Sequence, residues 1–247
     1  MTEVLLFLGG AAAGFVNTLA SSGTAISLPI LLFLGLPPHV ANATNRLTVL
    51  AAACSSTLTF ARKKTIDSRH APHVVLPIFG GSIVGALLAD WLADEDLRHL
   101  IVLAVFLALV LVLVGRRRML TSIEKQLVRL GPVQISLLFL VGIWAGLIVL
   151  DSYTYLLIVL VLGAGYGLVR ANALKAVAGI AMTVASLLVF AKHGNVDWKA
   201  GAIMSLGSMT GAWLGALIAA NERSRVWVFR VLIVTIVAEL IYMVITR

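Results

Sequence analysis

Charge is scarce in this sequence. Asp, Glu, Lys and Arg make up 12% of its 247 residues, 60% are hydrophobic, and the mean hydropathy is +1.03. Because soluble domains carry roughly a quarter of their residues as charges, this composition excludes the soluble class. Several apolar runs approach or exceed the roughly 18 residues that mark a membrane-crossing helix. The composition therefore predicts an all-α polytopic membrane protein.

Cysteine and the motifs of catalysis are scarce too. The single cysteine, Cys54, excludes an intrachain disulfide and a thiolate metal cluster, and its place in an apolar segment predicts a small packing residue. The five histidines lack metal-ligand spacing. No P-loop, HExxH, GxSxG or Rossmann glycine pattern is present. These absences predict no cofactor, no metal site and no enzyme, and they count against an ATP-driven pump formed by this chain alone.

The basic residues are unevenly placed. The net charge is +8, and Lys and Arg cluster in short connections between apolar segments. That placement is typical of topology signals and of contact with anionic headgroups, so membrane lipid rather than nucleic acid is the expected partner. The N-terminus MTEVLLFLGG has no basic segment. We therefore expect no cleavable signal peptide, and the first apolar segment should stay in the mature protein.

One polar stretch interrupts the apolar pattern early. Asn17 to Pro29, NTLASSGTAISLP, separates apolar residues 4–16 from 30–36, and each piece is shorter than the roughly 20 residues of an upright span. Non-helical backbone at membrane depth persists only inside protein or beside a watery cavity, which predicts two short crossings or a re-entrant hairpin. Free amides and hydroxyls attract anions, although small residues also serve close helix packing. The candidate substrate ligands are Asn17, Ser21, Ser22, Gly23 and Thr24.

The segments that follow are interpreted as helices. The apolar runs predict membrane helices at about 41–62, 72–92 and 98–115. Over residues 116–130, apolar side chains recur at helical spacing among basic ones, which predicts a short helix lying in the membrane interface.

The chain then repeats itself. A shift of 130 residues aligns asparagines, aspartates and glycines over about fifty residues without a gap. The pairs are Asn42 with Asn172, Asp67 with Asp197, Gly81 with Gly211 and Gly85 with Gly215. This predicts two homologous halves. We divide the chain into a first repeat over 1–115, a basic cytoplasmic linker over 116–131 and a second repeat over 132–247.

The distribution of basic residues favours inverted over parallel halves. With an odd number of membrane segments in each half, 14 Lys and Arg fall on the cytoplasmic side and 5 outside, whereas parallel halves of four crossings give 12 and 7. Cytoplasmic loops are enriched in these residues. The sequence therefore predicts two inverted halves, each with a broken or re-entrant hairpin followed by three transmembrane helices, and with both termini outside.

The second half carries its own polar interruption. Asp151 to Tyr155 follows apolar residues 133–150, at the place that matches the first break. Two breaks that enter from opposite faces could meet near the midplane, an arrangement that recurs in transport sites. Ser152 and Tyr153 are its candidate substrate ligands.

Polar residues also open the helix after each break. ANATNR, residues 41–46, offers uncharged donors and a forked cation suited to an oxyanion, and ANALKA, residues 171–176, offers an amide and an ammonium. An ionisable group inside an apolar helix predicts function, but Arg46 and Lys175 could instead extend to opposite interfaces and anchor their helices. The candidate ligands are Asn42, Thr44, Asn45, Arg46, Asn172 and Lys175.

Two carboxylates lie in apolar surroundings, Asp151 in the second break and Glu239 in the last helix. A carboxylate in hydrocarbon shifts toward its neutral form unless it is paired, which makes both residues candidates for proton coupling. Asp151 could instead bind a cation or pair with Arg46 or Lys175. Either carboxylate could also be a paired structural residue or face a subunit interface.

Together these elements resemble the TauE/SafE sulfite exporter family, also called TSUP. The shared elements are GAAAG at 10–14, the small-residue break, P-x-L at 29–31, the turn LGLPPHVANATN and a basic central loop between similar halves. The resemblance covers nearly the whole chain. It implies a secondary transporter that moves sulfite, organosulfonates or related small anions across the bacterial inner membrane.

The sequence departs from the family pattern at both breaks. SSGT stands where glycine pairs are common, and DSYTY lacks the glycines and the proline. Asp151 would repel an anion unless it is protonated or paired. We therefore predict a multi-pass exporter of a small sulfur-containing anion, with proton coupling as a hypothesis. The alternatives are an anion channel, a transporter of another small carboxylate and a non-transporting membrane scaffold, and a homodimer is left open.

Overall fold

The computed structural model describes residues 2–88, 106–120, 130–148, 152–192 and 196–245, and the regular elements in these ranges are all helical. In chain order they are α1 (Thr2–Ala20), α2 (Thr24–Phe33), α3 (Pro38–Arg62), α4 (Ala71–Leu88), α5 (106–114), α6 (Arg116–Leu120), α7 (Pro132–Leu147), α8 (Ser152–Ile158, continued as a π-helix over Val159–Ala164), α9 (Leu168–Lys192), α10 (Trp198–Ala219) and α11 (Arg225–Ile245). The predicted all-α class is confirmed. The segments 89–105 and 121–129, which include parts of two predicted helices and of the interface helix, lie outside the described residues.

Four helices are long and apolar enough to cross a membrane: α1, α4, α9 and α10. α3 has the same 25-residue length as α9. Its polar side chains lower its hydropathy, but Thr44, Asn45 and Arg46 are buried against other helices. The chain is therefore a multi-pass helical membrane protein.

Apolar side chains cover the outer surface of the bundle. Phe33, Leu76, Val114 and Trp227 are between 65% and 82% exposed. Such a surface suits lipid, in which apolar side chains need no burial. Cys54 is also exposed on α3, so the prediction that it packs inside the protein is wrong. A small thiol is apolar enough to face lipid.

α4 and α7 lie against each other at backbone contact. A Cβ at Gly81 would overlap the carbonyl oxygen of Phe139, and a Cβ at Gly142 would overlap the carbonyl oxygen of Ile78. Glycine is required on both helices, because any side chain here would push the backbones apart. Residue numbers rise together along the contact, so the two helices run parallel.

α1 and α10 repeat this arrangement. A Cβ at Gly10 would overlap the carbonyl oxygen of Met204, and one at Gly207 would overlap that of Phe7. These helices also run parallel. α3 packs on α10 and α9, and α9 packs on α3 and α4, so α3 and α9 lie between the two glycine-lined pairs.

The contacts correct one detail of the sequence alignment. Gly81 occupies the place in its pair that Gly207 occupies in the other, not Gly211 as the single shift predicts. The segment from Asp67 to Ile78 spans 11 residues, whereas the segment from Asp197 to Met204 spans 7. The difference is about one helical turn, so the shift changes without disturbing which helix face makes the contact.

Contacts between loops identify the two ends of the bundle. At one end, here called the Thr2 end, Thr2, Leu36 and Asp197 line a cavity of about 290 Å³. At the other, the Asp67 end, Asp67 accepts a hydrogen bond from Tyr166. α1 begins at the Thr2 end, while α7 runs parallel to α4 and begins at the Asp67 end. α1 and α7 therefore run in opposite directions, which supports inverted halves; the inverted duplication itself stays a prediction.

The first break is much shorter than predicted. Only Ser21–Gly23 leaves the helical conformation, while Asn17 lies inside α1 and Pro29 inside α2. Polar residues remain helical here because their hydroxyls bond the preceding turn, as Thr18 Oγ1 does to the Gly14 carbonyl at 2.9 Å. α1 is consequently long enough to cross a membrane, contrary to the expectation from residues 4–16.

The second break is also displaced. α7 ends at Leu147, Ile148 is extended, and α8 begins at Ser152, so Ser152–Tyr155 is helical rather than part of the break. Residues 149–151 lie outside the described part of the chain.

Candidate functional site

The first break is held in a conformation that few residues adopt. Ser21 has a φ of 68°, in the left-handed region, and its N–H donates to the Asn17 carbonyl at 3.0 Å. A non-glycine residue in that region costs about 1–3 kcal/mol and persists only when its surroundings fix it. The surroundings here include a buried cation from the second half.

Lys175 of α9 lies at the C-terminal end of α1. Its Nζ donates to the carbonyls of Asn17 and Thr18 at 3.2 and 3.1 Å and to Ser21 Oγ at 3.1 Å. The last carbonyls of a helix lack helical partners and carry the negative end of its dipole. An ammonium has three N–H donors, so all the donors of Lys175 are used, and its side chain is 2% exposed.

Arg46 of α3 lies at the C-terminal end of α7 in the same way. Nη1 donates to the Ala145 carbonyl at 2.8 Å and to Ser186 Oγ at 2.6 Å, and Nη2 donates to the Gly146 carbonyl at 3.0 Å. Its guanidinium carbon lies 4.8 Å from the centre of the Phe190 ring, a cation–π distance. Arg46 is fully buried.

The two cations are therefore exchanged between the halves. A residue of the first half closes the second break, and a residue of the second half closes the first. Since both are buried, the alternative in which Arg46 and Lys175 extend to the interfaces is wrong. Within the described residues neither cation forms an ion pair with a carboxylate.

The breaks do not meet at one point. Lys175 and Ser186, which mark their positions on α9, are 11 residues apart. At 1.5 Å per residue this is about 16 Å along the helix axis. The hairpins pass one another side by side, because α1 has 19 residues and α7 has 16, more than each needs to reach the midplane. The site is thus two cation positions rather than one.

Neutral polar residues of the first half join α2 to α3. Ser27 Oγ donates to Asn45 Oδ1 at 2.5 Å, and Asn45 Nδ2 donates to Thr24 Oγ1 at 3.3 Å. All three are buried. Thr44 is also buried, and its hydroxyl accepts the Asp197 N–H at 2.9 Å. These residues hold helices together and leave Asn45 and Thr24 with each other as partners.

The other predicted residues occupy varied places. Ser22 and Ser152 are buried, and Asn42 is half-buried near the start of α3. A Cβ at Gly23 would overlap the carbonyl oxygen of Ala13, so close packing requires glycine there. Asp151 and the side chain of Glu239 lie outside what the structure describes, and their coupling role stays a prediction.

Several buried polar atoms in the described part of the chain have no hydrogen-bond partner. They include both amide atoms of Asn172, the Tyr153 hydroxyl, Thr183 Oγ1 and Arg46 Nε. The Tyr153 hydroxyl lies beside Thr183 and Asn17 without a well-aligned hydrogen bond to either. Buried polar atoms in native proteins are nearly always paired with protein or water, so these atoms mark places where water or a ligand completes the structure.

Sequence reasoning missed Ser27, Thr183 and Ser186. The repeat offered a signal for one of them, because the shift that pairs the asparagines also places Ser56 on Ser186. Thr183 stands eight residues beyond Lys175, on the same helical face.

The Asp67 end is closed by a smaller polar network. The Asp67 carboxylate accepts the Tyr166 hydroxyl at 3.1 Å and contacts His70 Nδ1 at 2.8 Å, which links the α3–α4 loop to the second half. Partial burial pushes the pKa of Asp67 upward, but the hydrogen bonds from His70 and Tyr166 outweigh it and hold the pKa below its ordinary value.

Loss of this network is expected to be pH-dependent. A carboxylate with a lowered folded-state pKa contributes its full stability above its ordinary pKa of about 3.9 and loses it as the pH falls through the lower, folded value. Tyr166→Phe should therefore reduce stability at pH 7 by about 1 kcal/mol and much less at pH 3. Thermal unfolding at both pH values measures this. The Asp67→Asn, Tyr166→Phe double variant is the control: an added loss from Tyr166→Phe at pH 7 in that background would contradict the network.

The fold and the site together define a class. A helical bundle with an apolar exterior, two discontinuous helical hairpins running in opposite directions and buried cations at their breaks has the features of a membrane transporter. The chain belongs to the TauE/SafE family: the model of that family, described as sulfite exporter TauE/SafE, matches residues 6–243.

Curated relatives agree with this membership. A probable membrane transporter protein, ORF9, of a Sinorhizobium species is 28% identical over 90% of this chain and 84% of its own length. A probable membrane transporter protein of Haemophilus influenzae is 29% identical over 86% and 83%. The probable membrane transporter protein YfcA of Escherichia coli K12 is 26% identical over 96% and 89%. No solved structure matches the chain significantly.

Proposed function

We propose that this membrane transporter is a secondary exporter of small sulfur-containing anions, such as sulfite or organosulfonates, in a bacterial inner membrane. The observation that carries the proposal is the pair of buried cations, Arg46 and Lys175, that lack a carboxylate partner among the described residues. Burying an uncompensated charge is costly and is retained in membrane proteins mainly at functional sites.

Carbonyl groups compensate these charges only in part. The C-terminal end of a helix carries roughly half an elementary negative charge, whereas each cation carries a full positive one. An anion would supply the remainder. Arg46 also keeps an unpartnered Nε–H, and guanidinium N–H groups bind oxyanions in a forked geometry.

The packing supports inverted halves as the basis of transport. α1 packs on α10 and α7 on α4, so each first helix lies in a glycine-lined contact with the other half. A pseudo-two-fold arrangement of this kind supplies two equivalent conformations, one open to each side of the membrane. Lys64, Arg69 and Arg170 cluster at the Asp67 end, which favours the cytoplasm for that end.

Proton coupling and dimer formation are further parts of the proposal. Asp151 follows the second break directly, and Glu239 lies within α11. A carboxylate that takes up a proton as the anion leaves would couple the two movements. Replacing each carboxylate by its amide and comparing flux with and without a proton gradient tests the coupling, and the mass of the purified protein in detergent tests the dimer.

Flux into proteoliposomes tests the main proposal. Sulfite, thiosulfate, sulfoacetate and taurine are compared with sulfate and acetate, with protein-free liposomes as the control. We expect saturable sulfite or sulfonate flux, and thermal stabilisation of the purified protein by the same anions. Flux that does not saturate would replace the transporter with a channel. No flux and no stabilisation by any anion would remove the proposal.

A further inference from the structure

One face of α9 is polar along most of its length. Asn172, Lys175, Gly179, Thr183 and Ser186 follow one another at intervals of three or four residues, which places them within one narrow strip of the helix surface. Their side chains are buried, apart from Gly179, which has none. A polar strip inside a membrane protein marks a route for polar ligands or water.

The matching strip of α3 is interrupted. At the positions related by 130 residues, α3 carries Asn42, Asn45, Val49, Ala53 and Ser56. Valine and alanine thus replace glycine and threonine in the middle of the strip, where a passing anion would need donors. The two central helices therefore differ, and α9 is the one that presents polar atoms continuously.

Unpartnered atoms concentrate along the α9 strip. Asn172 lies near its start, Thr183 beyond its middle, and Arg46 reaches Ser186 near its far end with an unpartnered Nε. An unmade hydrogen bond at a buried group costs about 1–3 kcal/mol. A ligand or water moving along the strip would satisfy each of these groups in turn.

Tyr153 lies across the strip. A Cβ at Gly179 would overlap the Tyr153 hydroxyl, so the ring occupies the space that a side chain on α9 would fill. Lys175 Nζ lies 5.8 Å from the centre of the same ring. Tyr153 therefore separates the Lys175 position from the Arg46 position, and its own hydroxyl has no partner.

We propose that the transported anion moves along the α9 strip between the Lys175 and Arg46 positions, and that Tyr153, seated against Gly179, is the side chain that closes this path. The ligand is an oxyanion with several acceptor oxygens, since the strip offers ammonium, guanidinium, hydroxyl and amide donors. This inference rests on the proposed function for the nature of the ligand, but the path itself is testable without transport.

Cysteine accessibility tests the path. The chain has one cysteine, so Cys54→Ser gives a cysteine-free background. Asn172→Cys and Thr183→Cys report on the two sides of Tyr153, and Leu174→Cys, buried on another face of α9, is the matched control. Vesicles of each orientation are treated with a small anionic, membrane-impermeant thiosulfonate. We expect Asn172→Cys and Thr183→Cys to react at least tenfold faster than Leu174→Cys.

Two variants test the closure. Tyr153→Ala and, independently, Gly179→Ala, which displaces the ring, should each let reagent from the Asp67 end reach Thr183→Cys at least tenfold faster. Tyr153→Phe keeps the ring and should leave that rate unchanged. Equal rates at all three cysteines would overturn the path, and no acceleration by either variant would overturn the role of Tyr153. Both readouts stand even if the protein transports no sulfur-containing anion.

Discussion

Arg46→Gln is expected to weaken anion binding by roughly 10- to 150-fold and to reduce flux at subsaturating anion by a similar factor. Hydrogen bonds to charged groups contribute about 1.5–3 kcal/mol, and glutamine keeps a donor but no charge. Arg46 is also buried in full, so water does not screen its interactions. The measurements are the anion concentration that half-saturates thermal stabilisation and the initial flux into proteoliposomes.

The control removes a different positive charge. Lys199 forms an exposed ion pair with Glu3 at 3.2 Å, and such pairs contribute little. Lys199→Gln should leave binding unchanged, whereas Arg46→Lys should fall between the parent and Arg46→Gln, because it keeps the charge and loses the fork. Arg46→Gln also leaves the Ala145 and Gly146 carbonyls with fewer donors, so its melting temperature without anion must be compared separately. Unchanged binding in a folded Arg46→Gln protein would show that Arg46 only closes the end of α7.

The sequence could locate the helix breaks and the two cations. Polar residues inside apolar runs mark Ser21 and Ser22, and a cation inside an apolar helix marks Arg46 and Lys175. These signals are local, because hydrocarbon penalises every unpaired polar group. The same reasoning overestimated the first break. Serine and threonine can bond the carbonyl of the preceding turn, so Thr18 and Ser27 remain helical without an external partner.

The partners of the cations could not be predicted. Arg46 meets carbonyls about a hundred residues away in sequence, and Lys175 meets carbonyls more than 150 residues away. A carbonyl belongs to every residue, so no letter of the sequence identifies the one that will be an acceptor. The repeat suggested that the breaks face each other. It could not reveal that each is closed by the other half, since that depends on how far α1 and α7 reach past one another.

The glycine pattern was visible, but its partner helices were not. A glycine every four residues predicts close helix packing without saying which helix approaches. Two adjacent glycines of α4 also differ in a way that composition hides. Gly81 faces the backbone of α7, while a Cβ at Gly80 would lie 3.7 Å from Phe139 Cε2, an ordinary contact.

These neighbours give the second large prediction. Gly81→Ala should destabilise the protein by about 2–3 kcal/mol, because the new methyl overlaps a backbone carbonyl that cannot rotate away as a side chain would. Gly80→Ala should be neutral or stabilising by up to about 1 kcal/mol, since alanine is the better helix former. In thermal unfolding the first variant should lose roughly 5–10 °C and the second should lose none.

The corrected alignment extends this prediction to the second half. Gly207 occupies the place of Gly81, so Gly207→Ala should match Gly81→Ala in its loss of stability. Because the two contacts lie in separate helix pairs, the losses should add in the double variant, within about 0.5 kcal/mol. Equal melting temperatures for Gly80→Ala and Gly81→Ala would contradict the backbone contact between α4 and α7. A harmless Gly207→Ala beside a damaging Gly81→Ala would contradict the equivalence of the two pairs, and with it the main structural support for inverted halves.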